Sequence, residues 1–94
     1  MSNEEFLAEL RRLIEQVYGY RARVMAVPGY REHAECKSFF ESADRWIEAY
    51  ERDYRYFMGL ESIEKSYHVT TYLGHCEVEV SSFKLRWNAL QAQI

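Results

Sequence analysis

The sequence predicts an all-α protein, an antiparallel three-helix bundle with long helices that forms one domain over residues 1–94. Apolar residues recur at alternating steps of four and three, which places them on one face of a helix. The chain also has only one proline and four glycines, and it contains no internal repeat or linker. The few breaks divide it into helices near 4–27, 30–58 and 63–93, joined by connections short enough for antiparallel neighbours.

The first predicted helix has a clear start signal and one apolar face. Ser2 and Glu5 are spaced for a capping box, in which each side chain bonds the backbone of the other residue. The apolar face consists of Phe6, Leu10, Leu13, Val17, Tyr20, Val24 and Val27. We expect the helix to end at Pro28 and Gly29, the strongest break in the chain.

The second predicted helix carries more apolar surface than one neighbour covers. Its main face consists of Cys36, Phe40, Ala43, Ile47, Tyr50, Tyr54 and Phe57. Further apolar residues lie on its two flanks, Phe39, Trp46 and Leu60 on one and Ala49, Tyr56 and Ile63 on the other. Gly59 is expected to cap its end. Because a helix that is apolar on several sides is buried on several sides, we expect this helix to contact a second copy or a partner.

The last third of the chain fits two kinds of secondary structure. One apolar series keeps the helical spacing throughout and consists of Val69, Leu73, Cys76, Val80, Phe83, Trp87, Leu90 and Ile94. Residues 67–82 are also rich in β-formers, and a turn at Gly74 and His75 would give a β-hairpin with one apolar face. We favour the helix because its spacing continues to Ile94. An α+β fold with a hairpin near 67–82 is the alternative.

Charge and hydropathy exclude several classes of protein. Twelve basic and fifteen acidic residues give a net charge of −3, whereas nucleic-acid binders usually carry a basic surplus. No stretch approaches the roughly 20 apolar residues of a membrane span. The N-terminus is acidic, where a signal peptide would be basic. We therefore expect a cytoplasmic protein without a membrane partner and without direct nucleic-acid binding.

No residue pattern predicts catalysis, a metal or a cofactor. The chain has no nucleophile elbow, no P-loop and no dinucleotide-binding glycine pattern. His33 and Cys36 form one pair of zinc-ligand types, and His75 and Cys76 form a second. In the predicted bundle the two cysteines are about 15 Å apart along the helices, too far for one metal ion or one disulfide. We therefore expect no enzyme activity, no metal site and core thiols.

Aromatic and arginine residues define the predicted partner-binding site. Eight tyrosines, five phenylalanines and two tryptophans exceed what a small core needs, since each buried hydroxyl requires a hydrogen-bond partner. Tyr, Trp and Arg are enriched at interface hot spots. We predict a non-catalytic, homo-oligomeric regulator or inhibitor that binds protein partners through helix two. The predicted partner-binding residues are Trp46, Arg52, Arg55 and Tyr56.

Two further hypotheses concern the kind of partner. By analogy of type alone, compact acidic helical proteins include phage- and mobile-element-type inhibitors of host machinery. Here an acidic face of helix two with aromatic anchors would occupy a basic, nucleic-acid-binding surface of the target. The alternative function is binding of a small anionic, nucleotide-like ligand by the Arg- and Tyr-rich patch over residues 18–31. There, rings would stack on a base and guanidinium groups would bind a phosphate. The predicted ligand-binding residues are Tyr18, Tyr20, Arg21 and Arg23.

Overall fold

The computed structural model describes residues 1–66 and 68–94, and over these residues it contains four helices and no strand. The helices are α1 (Asn3–Met25), α2 (Ala34–Met58), α3 (Ile63–Ser66) and α4 (Val69–Gln91). The predicted all-α class is therefore confirmed. None of the described helices combines the length and the apolar character that crossing a membrane requires.

The first turn of α1 is capped and also holds a distant loop. The Glu5 amide donates to Ser2 Oγ at 3.0 Å, and the Ser2 amide donates to Glu5 Oε1 at 3.2 Å, which confirms the predicted capping box. Asn3 Nδ2 donates to the Glu61 carbonyl at 2.9 Å, and the Ile63 amide donates to Asn3 Oδ1 at 3.0 Å. The start of α1 is thereby fastened to the connection that follows α2.

The connection between α1 and α2 is longer than predicted. Residues 26–33 form turns and bends, so α2 does not start at residue 30. Gly29 has a φ of 69°, a backbone conformation that a continuing right-handed helix excludes. The new helix starts after His33, whose Nδ1 accepts a hydrogen bond from the Cys36 amide at 3.3 Å. At the other end, α2 ends at the predicted Gly59, although its φ of −85° is right-handed and does not use the left-handed conformation of the usual glycine cap.

The last predicted helix, 63–93, is divided in two. α3 ends at Ser66, and α4 begins after His68. The residues that begin α4 are β-branched and have low helix propensity, so a helix break there costs little. The hairpin alternative is wrong for residues 69–82, which are helical, and its residue 67 lies outside the described residues. The helical series decides the outcome because seven of its members are buried together: Val69, Leu73, Cys76, Val80, Phe83, Trp87 and Leu90.

The buried side of α2 differs from the predicted one. Phe39, assigned to a flank, is 2% exposed, whereas Phe40 of the predicted main face is only partly buried. The physical reason is that α4 covers this flank. The ring centroid of Phe39 lies 5.7 Å from that of Phe83 and 6.1 Å from that of Trp87. α2 therefore buries two sides, one against α1 and one against α4.

Contacts between the long helices follow a regular order. Arg11 on α1 contacts Glu51 on α2, and Arg21 further along α1 contacts Asp44. Higher residue numbers on α1 thus meet lower numbers on α2. The same reversal relates α2 to α4 in the contacts of Phe39 with Trp87, Tyr50 with Glu79 and Asp53 with Tyr72.

Gly19 lies within α1 with open space around its Cα. A Cβ added there meets nothing within 4 Å. We expect Gly19→Ala to raise the free energy of unfolding by about 1 kcal/mol, because alanine loses less conformational entropy in a helix. Gly29→Ala is the control and should lower this free energy by about 1 kcal/mol, since the φ of Gly29 is 69°. Urea unfolding measures both changes, and a destabilised Gly19→Ala variant would contradict the prediction.

Candidate functional site

Polar side chains between α1 and α2 are bound to one another. Arg11 donates to both carboxylate oxygens of Glu51, at 2.7 and 2.9 Å, and Tyr18 Oη donates to Glu51 Oε1 at 3.1 Å. The Arg11 guanidinium, with help from Tyr18, holds the pKa of the Glu51 carboxyl below its ordinary value. Arg21 donates to Asp44 Oδ1 at 2.6 Å. Two acidic side chains of α2 are therefore neutralised within the fold.

A second polar group lies between α2 and α4. Tyr50 Oη donates to Glu79 Oε1 at 2.6 Å, and Tyr72 Oη donates to Asp53 Oδ2 at 2.7 Å. Burial, and secondly these carboxylate acceptors, raise the pKa of both tyrosines above the ordinary value. Burial also raises the pKa of the Cys76 thiol, to about 12. Each hydroxyl is satisfied by its carboxylate, so this group stabilises the fold and offers no reactive side chain.

The exposed surface at the C-terminal end of α2 is basic and aromatic. Arg52, Arg55 and Tyr56 are exposed, and Tyr56 is exposed over 56% of its surface. We call these three residues the α2 surface. Glu51 and Asp53 bind α1 and α4 side chains instead. The acidic helix-two face expected from the sequence is therefore reduced at this end of α2, where Glu48, one turn before Arg52, is still exposed.

Trp46, the fourth predicted partner-binding residue, lies apart from the α2 surface. It is 8% exposed, and its ring stacks on Tyr50 with centroids 4.2 Å apart. The Trp46 and Phe83 ring centroids lie 6.2 Å apart in a T-shaped arrangement. Its indole Nε1 is buried and has no hydrogen-bond partner in the described part of the chain. Trp46 therefore packs in the α2–α4 core beside Phe39, and we do not include it in the α2 surface.

The four predicted ligand-binding residues form two separate pairs on α1. The Arg21 guanidinium lies 4.9 Å from the Tyr18 ring centroid, and the Arg23 guanidinium lies 5.1 Å from the Tyr20 ring centroid. Tyr18 and Arg21 line a cavity of about 380 Å³ together with Met25. Tyr20 follows Tyr18 by two residues, so the pair of Tyr20 and Arg23 lies roughly 200° around the helix from the pair of Tyr18 and Arg21. The four side chains therefore do not converge on one site.

The two His–Cys pairs that resemble zinc ligands in the sequence do not come together in the structure. Cys36 and Cys76 are both 0% exposed free thiols. His33 caps α2, and His75 Nε2 lies 3.1 Å from Glu79 Oε1. In residues 1–66 and 68–94, no three His, Cys, Asp or Glu side chains form a group that could hold a metal ion.

A second exposed surface, which sequence reasoning missed, lies on α4. Val78 and Leu85 are exposed over 68% and 69% of their surfaces. Gly74 and Ser81 share their side of the helix, because the four positions follow steps of four, three and four. We call these four residues the α4 outer face. The signal that predicts it is this second helical series, offset by one or two residues from the buried one.

Comparisons of the chain with protein families, with curated proteins and with solved structures find no match. No relative therefore indicates a substrate, a ligand or a partner. The two exposed surfaces, by their chemistry, are what indicate a function.

Proposed function

We propose that this chain is a non-catalytic protein-interaction module, a regulator or inhibitor that covers an acidic surface of a protein partner with the α2 surface. The observation that carries the proposal is the Tyr56 ring, 56% exposed, beside the exposed Arg52 and Arg55. Tyrosine and arginine are enriched at interface hot spots. Guanidinium groups bind carboxylates through two parallel hydrogen bonds. The expected partner therefore offers carboxylates around an apolar pocket for the ring.

Helix geometry supports this use of the α2 surface. Arg55 and Tyr56 follow Arg52 by three and four residues, which places the three side chains next to one another on one side of α2. The proposed scaffold is an antiparallel three-helix bundle of α1, α2 and α4, supported by the reversed order of their contacts. Because the backbone of a packed helix is already ordered, a surface on it loses little conformational entropy when it binds a partner.

The anionic ligand remains a less favoured proposal. Arg21, its central predicted residue, already donates to Asp44 at 2.6 Å, so a ligand would have to displace that carboxylate. Tyr20 and Arg23 lie on the other side of α1, so they would make no contact with a ligand held by Tyr18 and Arg21. We therefore place the function on the α2 surface.

The triple substitution Arg52→Glu, Arg55→Glu and Tyr56→Ala is expected to abolish partner binding. Removing hot-spot contacts and reversing two charges should weaken affinity at least about 100-fold. Immobilised wild-type and variant proteins are exposed to the same extract, and captured proteins are then purified and titrated against each by calorimetry.

The matched control replaces Lys37 and Lys65, two exposed lysines outside the α2 surface, by glutamate. It changes the net charge by the same amount and should bind the purified partner like wild type. Circular dichroism verifies that both variants are folded. The proposal is contradicted if the triple variant retains the partner, or if the lysine control loses it equally.

A further inference from the structure

α4 differs from the other long helices in how its apolar residues are arranged. α1 and α2 hold most of their large apolar residues on the sides that pack within the fold, whereas α4 also carries Val78 and Leu85 on its exposed side. Large apolar side chains exposed along one side of a helix often mark an interaction surface. In this protomer, α1 and α2 cover only the side that carries Leu73, Val80 and Phe83.

The α4 outer face has the form of a helix-packing seam. Gly74, Val78, Ser81 and Leu85 follow heptad spacing, and at 100° per residue they lie roughly 160° from the centre of the buried series. None of the four is charged. Large side chains alternate with small ones, and a Cβ added at Gly74 meets nothing within 4 Å, so a second helix backbone has room to approach closely.

The charges beside this face are self-complementary. Glu77 and Lys84 both precede a large apolar member of the seam by one residue and border the same side of it, two turns apart. When two α4 helices pack in antiparallel orientation about a two-fold axis near residues 80 and 81, Glu77 lies opposite the partner's Lys84. The symmetry repeats the pair on the other side of the axis. A parallel pair in equal register would instead place the two Glu77 side chains level with each other.

Glu77 is available for such a pair. Its side chain is 54% exposed, and its ion pair with Arg12 in the same protomer is long, at 4.0 Å. In the dimer, Val78 and Leu85 would contact apolar side chains of the second copy instead of water. The exposed ion pairs would favour the antiparallel orientation of the two helices.

We infer that a second copy of this chain docks on the α4 outer face and forms an antiparallel, two-fold symmetric dimer. A stable interface usually buries about 800 Å² on each partner, which is more than one helix face supplies. The dimer is therefore reversible, and it dissociates on dilution. This inference is independent of the α2 surface, whose residues take no part in the seam.

Sedimentation velocity over a series from low micromolar to near-millimolar protein tests the inference. Wild type is expected to shift reversibly from monomer to dimer. Leu85→Glu should weaken dimerisation at least about tenfold, because it places a charge in the apolar seam. Ala8→Glu, at an exposed position of α1, is the matched control and should dimerise like wild type. The inference is overturned if the wild-type chain stays monomeric over this range, even if it captures a different protein. It is also overturned if the Leu85→Glu variant dimerises like wild type.

A charge exchange tests the orientation separately. Glu77→Lys and Lys84→Glu should each weaken the homodimer, since each creates two like-charged contacts across the axis. Mixing the two variants should give a heterodimer, and the double variant should regain wild-type dimerisation. Higher salt should reduce these differences, because it screens the exposed charges. If the mixture forms no heterodimer and the double variant remains weak, the antiparallel arrangement is overturned.

Discussion

Replacing Phe39 by alanine is expected to lower the free energy of unfolding by about 3–5 kcal/mol. The Phe39 side chain is 2% exposed, and its ring contacts both Phe83 and Trp87 across the α2–α4 contact. Its removal leaves a cavity between two helices that cannot close without moving the backbone. The Arg86 guanidinium, 5.3 Å from the Phe39 ring centroid, also loses one of its two aromatic neighbours and keeps Phe83 at 5.6 Å.

Urea unfolding followed by circular dichroism measures this loss, and Phe40→Ala is the matched control. Phe40 is only partly buried and lies beside Tyr30, with ring centroids 5.6 Å apart. We expect its replacement to cost about 1–2 kcal/mol. The adjacent residues thus test which side of α2 faces the core. An equal or larger loss in Phe40→Ala would contradict the observed side and favour the one predicted from the sequence.

Raising the pH above about 10 is expected to lower the free energy of unfolding progressively. The pKa values of Tyr50 and Tyr72 are raised by burial and by their hydrogen bonds to Glu79 and Asp53. In the unfolded chain these tyrosines ionise near their ordinary pKa of about 10. The folded state therefore holds more protons at higher pH. Its stability is complete below the ordinary pKa and is lost as the pH rises.

The loss has an estimable slope. Each group contributes at most about 1.4 kcal/mol per pH unit, which we discount to about 1 kcal/mol because the two tyrosines are partly exposed. Tyr50 and Tyr72 together then give about 2 kcal/mol per pH unit above pH 10. Cys76, with its pKa raised to about 12, adds to the slope from its lower ordinary value of about 8.5 upward.

Urea unfolding between neutral pH and pH 11 measures this slope, and tyrosinate absorbance reports ionisation. The double variant Tyr50→Phe and Tyr72→Phe keeps both rings and removes both ionisable hydroxyls. It should retain only the smaller slope due to Cys76, Cys36 and Tyr18, whose pKa values burial also raises. The explanation fails if the double variant loses stability with pH as steeply as wild type, or if both hydroxyls of the folded protein ionise without unfolding it.

The sequence alone determined the features that depend on spacing along one segment. The capping box of Ser2 and Glu5 is an exchange between residues three apart, so it is local and predictable. The buried series of α4 also follows from its spacing, which remains helical from Val69 to Leu90 although the first residues favour strands. Helix type and the existence of an apolar face are therefore contained in the chain's own periodicity.

The tertiary structure decided which side of each helix is covered and what its polar groups bind. Phe39 and Trp46 are core residues because α4 packs on their flank of α2, so Trp46 lies apart from the other three predicted partner-binding residues. The acids at positions 51 and 53 bind Arg11 and Tyr72 from other helices, so the exposed charges at this end of α2 are arginines. Spacing within one helix carries no information about these partners, because they lie 19 to 40 residues away in the chain. They meet only when packing of the apolar faces sets the positions of the helices.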